Sequence, residues 1–159
     1  MPRSAVETVL SSARVADIKD IHALLLKAAD KGRLLPRSLA DLYQHTRDFY
    51  VLKERDGRLI GCCALSVVWE DLAEIRSLYV CEGARRHGSG SLLAAACMQE
   101  AQSMGVGRLF TLTYETGFFA RLGFRETDKD VLPQKIWADC VHCPKFPNNC
   151  DETAMLCLL

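Results

Sequence analysis

The sequence predicts an α/β fold of the α+β type, with a mixed, mostly antiparallel central sheet flanked by helices, and three observations carry that prediction. Phe49 to Glu54 and Arg58 to Val67 are apolar, strand-like runs joined across Asp56-Gly57, the strongest hairpin signal in the chain. Ile75 to Val80 is a strand-like run that passes through a glycine loop into a helical run, Ser91 to Met104. Leu109 to Thr113 then reads as a strand, followed by a short helix around Phe118 to Arg121 and a returning strand at Phe124. Antiparallel hairpins followed by alternating strands and helices imply a mixed sheet with helical cover.

The elements follow in order. Val6 to Arg14 predicts a first strand, and Asp17 is placed to cap a helix whose apolar positions Ile18, Ile21, Leu24, Leu25 and Ala28 recur at helical spacing before Lys31-Gly32 ends it. Ser38 is the expected N-cap of a short second helix, with Asp41 three residues on. The hairpin comes next, then a strand over Ala73 to Val80. In the helix that runs to Met104-Gly105, Leu92, Leu93, Ala96, Cys97 and Ala101 are expected to share the buried face. Beyond Pro133 the composition shifts to Cys, Pro and Asn, which predicts a compact irregular tail over about residues 133 to 159. Neither repeats nor a low-complexity linker interrupt the chain, so one domain over 1–159 is expected.

Hydrophobic residues make up 49% of the 159 and charged residues 25%, which excludes a disordered chain. Twenty basic and twenty acidic residues cancel, so no global field recruits nucleic acid or an anionic membrane, and anion recognition must be local. Met1 to Ser12 lacks a signal-peptide apolar core, and no run approaches the roughly 18 to 20 apolar residues of a membrane helix. A cytoplasmic location is expected, with the eight cysteines reduced and either buried or bound to metal. The partners expected are small molecules, neither nucleic acid nor membrane, and a homodimer remains open.

The glycine loop carries the chemistry. Arg85-Arg86-His87-Gly88-Ser89-Gly90 lies between a strand and a helix, where glycines let a phosphate approach bare backbone N–H groups and the helix N-terminus is electropositive. Leu93 stands where a dinucleotide fingerprint needs Gly or Ala, and no Gly-Lys-Ser/Thr is present, so the loop predicts a pyrophosphate cradle of another kind. In its pattern Arg/Gln-x-x-Gly-x-Gly/Ala, filled by Arg85, Gly88 and Gly90, the loop resembles that of the GCN5-related N-acetyltransferases. Asp56 to Gly61 is similar to that family's hairpin into its third strand, and Phe118 to Phe124 to its Tyr-x-x-x-Gly-Phe segment, so the resemblance covers roughly residues 5 to 130.

The resemblance implies acetyl-coenzyme A as donor. The amides of Arg86, His87, Gly88, Ser89 and Gly90 would hold its pyrophosphate, with Arg85 as either a phosphate contact or a solvated side chain. The backbone of Leu78, Tyr79 and Val80 would pair with the pantetheine arm as an added strand. Glu74 is the first candidate for the base, the alternative being an outward residue that solubilises its strand; Glu70, Asp71 and Glu115 follow it. Where the family often places a tyrosine acid, this chain has Phe119, which leaves Tyr114 as the catalytic acid candidate and both Tyr114 and Tyr79 open to a packing role.

For the acceptor, Lys31 to Ser38 resembles the Gly-x-Leu-x-x-Arg segment of the acetyltransferase domain of N-acetylglutamate synthase. Carried over, Arg37 would grip a substrate carboxylate, Leu35 would offer backbone, and the backbone near Ser77 would meet the amino acid; Arg76 is a second anion contact or a solvent-facing residue. The resemblance thus implies acetylation of the α-amine of L-glutamate, a step of arginine biosynthesis, without the amino-acid-kinase domain of larger members. Two rivals stand beside it: the same chemistry on another amine, such as a protein N-terminus, a polyamine or an antibiotic, and a non-enzymatic module binding coenzyme A or sensing metal. For the latter, Cys140-x2-Cys143 with Cys150, and with His142 and Cys157 nearby, could hold zinc or could be buried thiols. Cys62, Cys63, Cys81 and Cys97 read as core or edge residues, and His22, His45 and His87 as structural or solvated.

Overall fold

A computed structural model describes residues 7–85, 88–132, 143 and 150–159. Its strands form a seven-stranded sheet in the order β1-β2-β3-β4-β5-β7-β6. The chain divides into two compact units, Met1–Leu65 with Ser77–Gln99, and Ser66–Arg76 with Glu100–Leu159.

In the first unit, β1 (Thr8–Ser12) pairs antiparallel with β2 (Phe49–Glu54), which pairs with β3 (Leu59–Trp69). Between β1 and β2 lie α1 (Ile18–Asp30) and α2 (Leu39–Gln44). The five apolar positions expected on α1 are all buried, against Phe49, Val51, Cys62, Ala64 and Tyr79. Each full burial of such a side chain is worth about 1.5 to 3 kcal/mol, which is what commits α1 to this face of the strands. The helix closes as Lys31-Gly32 predicted, with Gly32 N–H donating to Ala29 O (2.9 Å) and Arg33 N–H to Ala28 O (3.0 Å). Asp17 does not cap α1 by its side chain. Its carboxylate turns back to accept from Arg14 N–H (2.8 Å) and to pair with Lys53 Nζ (2.6 Å), because it belongs to a short 3-10 turn ahead of the helix. Burial would raise the Asp17 carboxyl, but those hydrogen bonds and the charges of Lys53 and Arg14 outweigh it and hold the group below its ordinary value.

The hairpin between β2 and β3 forms as expected, with Glu54 N–H donating to Arg58 O (2.9 Å) and the Asp56 carboxylate accepting from Arg58 N–H (2.9 Å). Gly61 on β3 sits in tight packing: a Cβ there would stand 2.9 Å from Leu93 Cδ1 and 3.3 Å from Val80 Cγ2, so those side chains would have to shift. Glycine lets α3 (Ser89–Ser103) approach the strands closely. On α3, Leu93, Ala94, Ala96, Cys97 and Ala101 are buried, whereas Leu92 is 49% exposed. Four of the five expected positions are therefore buried, and the exception, Leu92, at one edge of the expected arc, gives way to Ala94 at the other.

In the second unit, β4 (Leu72–Val80) begins, pairing parallel with β5 (Arg108–Thr113) from Leu72 opposite Arg108 to Glu74 opposite Phe110. A short helix α4 (Thr116–Arg121) leads into β6 (Arg125–Glu126). The end of the tail corrects the sequence reading. Thr153–Leu158 is a regular strand, β7, that pairs antiparallel along all of β5 and also with β6. Its Ala154, Met155 and Cys157 are buried, and Ala154 joins Leu72, Phe110 and Leu132 in the core of this unit. Among the described residues, no helix is long and apolar enough to cross a membrane.

Candidate active site

The glycine loop leaves the end of β4 through a turn at Glu82–Ala84 and enters α3 at Ser89. Gly88 has φ +76°, a region where a Cβ is strained by roughly 1 to 2 kcal/mol, and a Cβ built on it would meet no atom within 4 Å. Its carbonyl accepts from Leu92 N–H (3.0 Å), so it opens the helix, and the buried Ser89 hydroxyl donates to Ala84 O (3.4 Å), closing the loop on itself. The first N–H groups of a helix carry the positive end of its dipole, and here they follow a glycine whose surroundings are open. Gly90 is half-buried in that first turn. Arg86 and His87 lie outside the described residues.

Arg85 is held inward. Its Nε donates to Val80 O (3.0 Å) and its guanidinium lies over the Tyr79 ring, 5.0 Å from the centroid. Tyr79 and Val80 are buried and Leu78 half-buried. Lys31, at the end of α1, pairs with Glu82 in the turn, and that hydrogen bond raises the lysine above its usual value.

Arg37 sits among side chains drawn from three elements. The residue precedes Ser38, whose hydroxyl accepts from Asp41 N–H (3.0 Å) as the expected cap of α2. The Arg37 side chain is 9% exposed. Its Nε donates to Asp41 Oδ2 (2.6 Å), its Nη1 donates to Ser77 Oγ (3.0 Å), and its guanidinium stacks over Phe49, 5.4 Å from the ring centroid. Ser77 is the one described non-glycine residue with positive φ, at 55°. Such a conformation costs on the order of 1 to 3 kcal/mol and persists only where neighbours over-determine it. Here Arg37 holds its hydroxyl, and the buried Cys62 thiol donates to its carbonyl (3.4 Å). Burial pushes the Cys62 thiol up to about 12, with the Arg37 charge pulling the other way, so at neutral pH it is a neutral donor. Leu35 is 41% exposed on the segment leading to Arg37.

The second unit places the two candidates for proton transfer. Glu74 is buried, which removes the reading of an outward, solubilising residue. Tyr114 is 41% exposed and its hydroxyl donates to Asp151 Oδ1 (2.6 Å). Phe119, where a tyrosine acid was sought, is buried, edge-on to Phe118 (5.0 Å) and Phe124 (5.2 Å). Asp71 is engaged with Arg108 Nη2 (3.2 Å), Glu70 is exposed, and Arg76 is half-buried.

Of the metal candidates, Cys143 and Cys150 are half-buried, while Cys140 and His142 lie outside the described residues. Among the described residues, no group of three His, Cys, Asp or Glu side chains is arranged to hold a metal. Cys150 instead takes Lys129 Nζ at both its carbonyl and its sulfur, each at 3.2 Å. His45 has a partner that its sequence neighbourhood did not reveal: its Nδ1 lies 3.1 Å from Asp41 Oδ1.

Sequence reasoning missed Asp41, Phe49 and Cys62 around Arg37. The only available signal was the four-residue spacing of Arg37 and Asp41, although Arg37 lies ahead of the α2 cap at Ser38 and not on the helix.

Residues 18–124 match the family model for the acetyltransferase (GNAT) family. This chain belongs to the GNAT acetyltransferase family. It is 42% identical over 152 residues to an uncharacterized N-acetyltransferase of Chlorobaculum tepidum, covering 96% of this chain and 97% of that protein. It is 38% identical over 131 residues to the amino-acid acetyltransferase of Mycobacterium tuberculosis, covering 81% and 75%. Among solved structures, N-acetylglutamate synthase of Neisseria gonorrhoeae, complexed with coenzyme A and N-acetyl-glutamate, superposes with TM-score 0.85 at 32% identity, covering 98% of this chain and 36% of that one. The GNAT chain is thus an acetyl-coenzyme A dependent acyltransferase acting on small molecules, with the mixed sheet its sequence predicted.

Proposed function

We propose that this GNAT enzyme moves the acetyl group of acetyl-coenzyme A onto the α-amine of an α-amino acid, L-glutamate first, and so serves arginine biosynthesis. The observation that carries the reading is Arg37: on a side chain 9% exposed, a guanidinium fixed on three sides presents its remaining donors to a planar carboxylate. The amino-acid acetyltransferase relative and the N-acetylglutamate synthase neighbour support the same class.

The reaction needs a neutral amine, a held thioester and somewhere for the proton to go. In the proposal, Arg37 takes the acceptor's carboxylate, with the backbone of Leu35 and Ser77 beside it. The amides of the glycine loop and the backbone of Leu78 to Val80 hold the donor. Glu74 removes the ammonium proton, directly or through water, and the amine attacks the thioester carbonyl. Collapse of the tetrahedral adduct breaks the C–S bond and releases coenzyme A thiolate, a fair leaving group, which takes up the second proton shed by the attacking nitrogen, directly or through water. Tyr114 can protonate that thiolate only after exchanging Asp151 for a new partner, so its part is the smallest.

Thiol release from acetyl-coenzyme A, measured across the twenty amino acids and a panel of polyamines, tests the proposal. L-Glutamate is expected to show the highest kcat/KM. A cationic amine at the top of that ranking overturns the acceptor and leaves only the acetyltransferase.

A further inference from the structure

Arginine is a poor anchor by itself. Its long side chain carries about 2 kcal/mol of rotamer entropy, and a guanidinium free to swing offers its donors in many directions. Arg37 has lost that freedom. With Nε turned to Asp41 and Nη1 to Ser77, and with Phe49 against its face, the guanidinium plane is fixed and the Nη2 donors have one direction. Two of these three neighbours are weak restraints, a neutral hydroxyl and a ring. Asp41 alone is charged, and at 2.6 Å its bond is the shortest of the cluster.

Asp41 is itself well placed to steer. Its backbone N–H is bound by Ser38 Oγ, its Oδ2 takes Arg37, and its Oδ1 lies 3.1 Å from His45 Nδ1. The bonds to Ser38 and Arg37 fix this residue before any substrate arrives, while His45 Nδ1 lies closer to its backbone carbonyl (2.8 Å) than to Oδ1. Its negative charge lowers the attraction of Arg37 for a second carboxylate, so any benefit it brings must come from geometry. We propose that Asp41 is a positioning residue for the acceptor: it acts through Arg37, holding the guanidinium in the one orientation that receives the substrate carboxylate. This rests on the acceptor-site reading given above.

The test is a double-mutant cycle on KM for L-glutamate at saturating acetyl-coenzyme A, or for the best α-amino-acid acceptor should glutamate not be used. Asp41→Ala is expected to raise that KM about 3- to 10-fold, the fold-change of re-ordering one rotamer-rich side chain. Asp41→Asn, which keeps an acceptor oxygen without the charge, should recover part of the loss. Both should leave kcat and KM for acetyl-coenzyme A within about twofold. In an Arg37→Ala background, Asp41→Ala should add nothing, because its route to the substrate is gone. Ser38→Ala removes the α2 cap and its bond to Asp41 N–H but keeps the Asp41 carboxylate on Arg37, and should raise KM less than Asp41→Ala. If Asp41→Ala lowers KM, the carboxylate competes with substrate and positioning is refuted. If Ser38→Ala raises KM as much as Asp41→Ala, the effect is helix stability and positioning is again refuted. If Arg37→Ala raises KM while Asp41→Ala does not, Asp41 loses its role and the acceptor site stands. If Arg37→Ala itself leaves KM unchanged, the acceptor-site reading falls and takes this inference with it.

Discussion

The proposed donor loop and the proposed acceptor arginine lie in the same compact unit, yet they are built on opposite terms. In the loop the proposed working groups are backbone amides, and the sequence acts by omission: Gly88 has no Cβ, stands at φ +76° and opens α3. Around Arg37 the proposed working group is a side chain, and the sequence acts by addition, bringing Asp41 from α2, Phe49 from β2 and Ser77 from β4. A backbone site tolerates change in most of its side chains and fails when its conformation fails. A side-chain site degrades in steps, as each partner is removed.

The largest effect lies outside both regions, in proton transfer. Glu74→Gln removes a buried carboxylate while keeping its size, and is expected to lower kcat by on the order of 10² to 10⁴ with little change in the affinity for coenzyme A. Steady-state kinetics over pH 6 to 9 checks this, and a near-normal kcat hands the role to solvent. Next comes the conformational failure of the loop. Gly88→Asp adds a strained Cβ and a negative charge where a phosphate is proposed to sit, and should weaken acetyl-coenzyme A binding by about 100-fold or more in calorimetry. Unchanged affinity would remove the donor site from this loop.

The stepwise failure of the other region is smaller and graded. Arg37→Ala is expected to raise KM for glutamate about 10-fold or more, since a charge-assisted hydrogen bond is worth about 1.5 to 3 kcal/mol, and Arg37→Lys less, because a point charge reproduces only part of the fork. KM for acetyl-coenzyme A should stay in place in both. Equal loss in the two variants would mean that the planar fork, rather than the charge, supplies all of the binding.

The same contrast explains what could be read from the sequence. Gly88 spells a strand-to-helix turn locally, so that turn was legible, as were the Ser38 cap and the α1 stripe from Ile18 to Ala28. Arg37 was legible only through resemblance, because its partner Ser77 is forty residues away and no spacing rule connects them. Strand β7 was hidden for a related reason. Thr153–Leu158 is apolar enough for a strand, but the Cys, Pro and Asn preceding it dominate the local signal, and what stabilises it is pairing with β5 about forty residues earlier. Non-local pairing leaves no periodicity of its own to find. Asp41 stood in plain view as the N3 acid of α2, and its bond to Arg37 was concealed by that simpler role.

Arg85 sharpens the comparison most finely, because it is a charged side chain inside a backbone site. As a phosphate ligand it would belong with Arg37 in kind, and its loss would cost about tenfold or more in donor affinity, with Lys retaining much of the contact. The structure gives it another occupation: Nε on Val80 O and the guanidinium over Tyr79, both within its own unit. A cation–π contact at such a half-exposed position is worth about 0.5 to 1 kcal/mol, and Lys cannot keep the directed bond to Val80 O while covering the ring with a flat face. Arg85→Ala and Arg85→Lys are therefore expected to behave alike, with KM for acetyl-coenzyme A changed by about threefold or less and a small fall in Tm. Steady-state kinetics at low and high salt separates the two roles. A tenfold loss in Ala that Lys restores, and that salt erases, would make Arg85 a phosphate ligand and dissolve the distinction between the two sites.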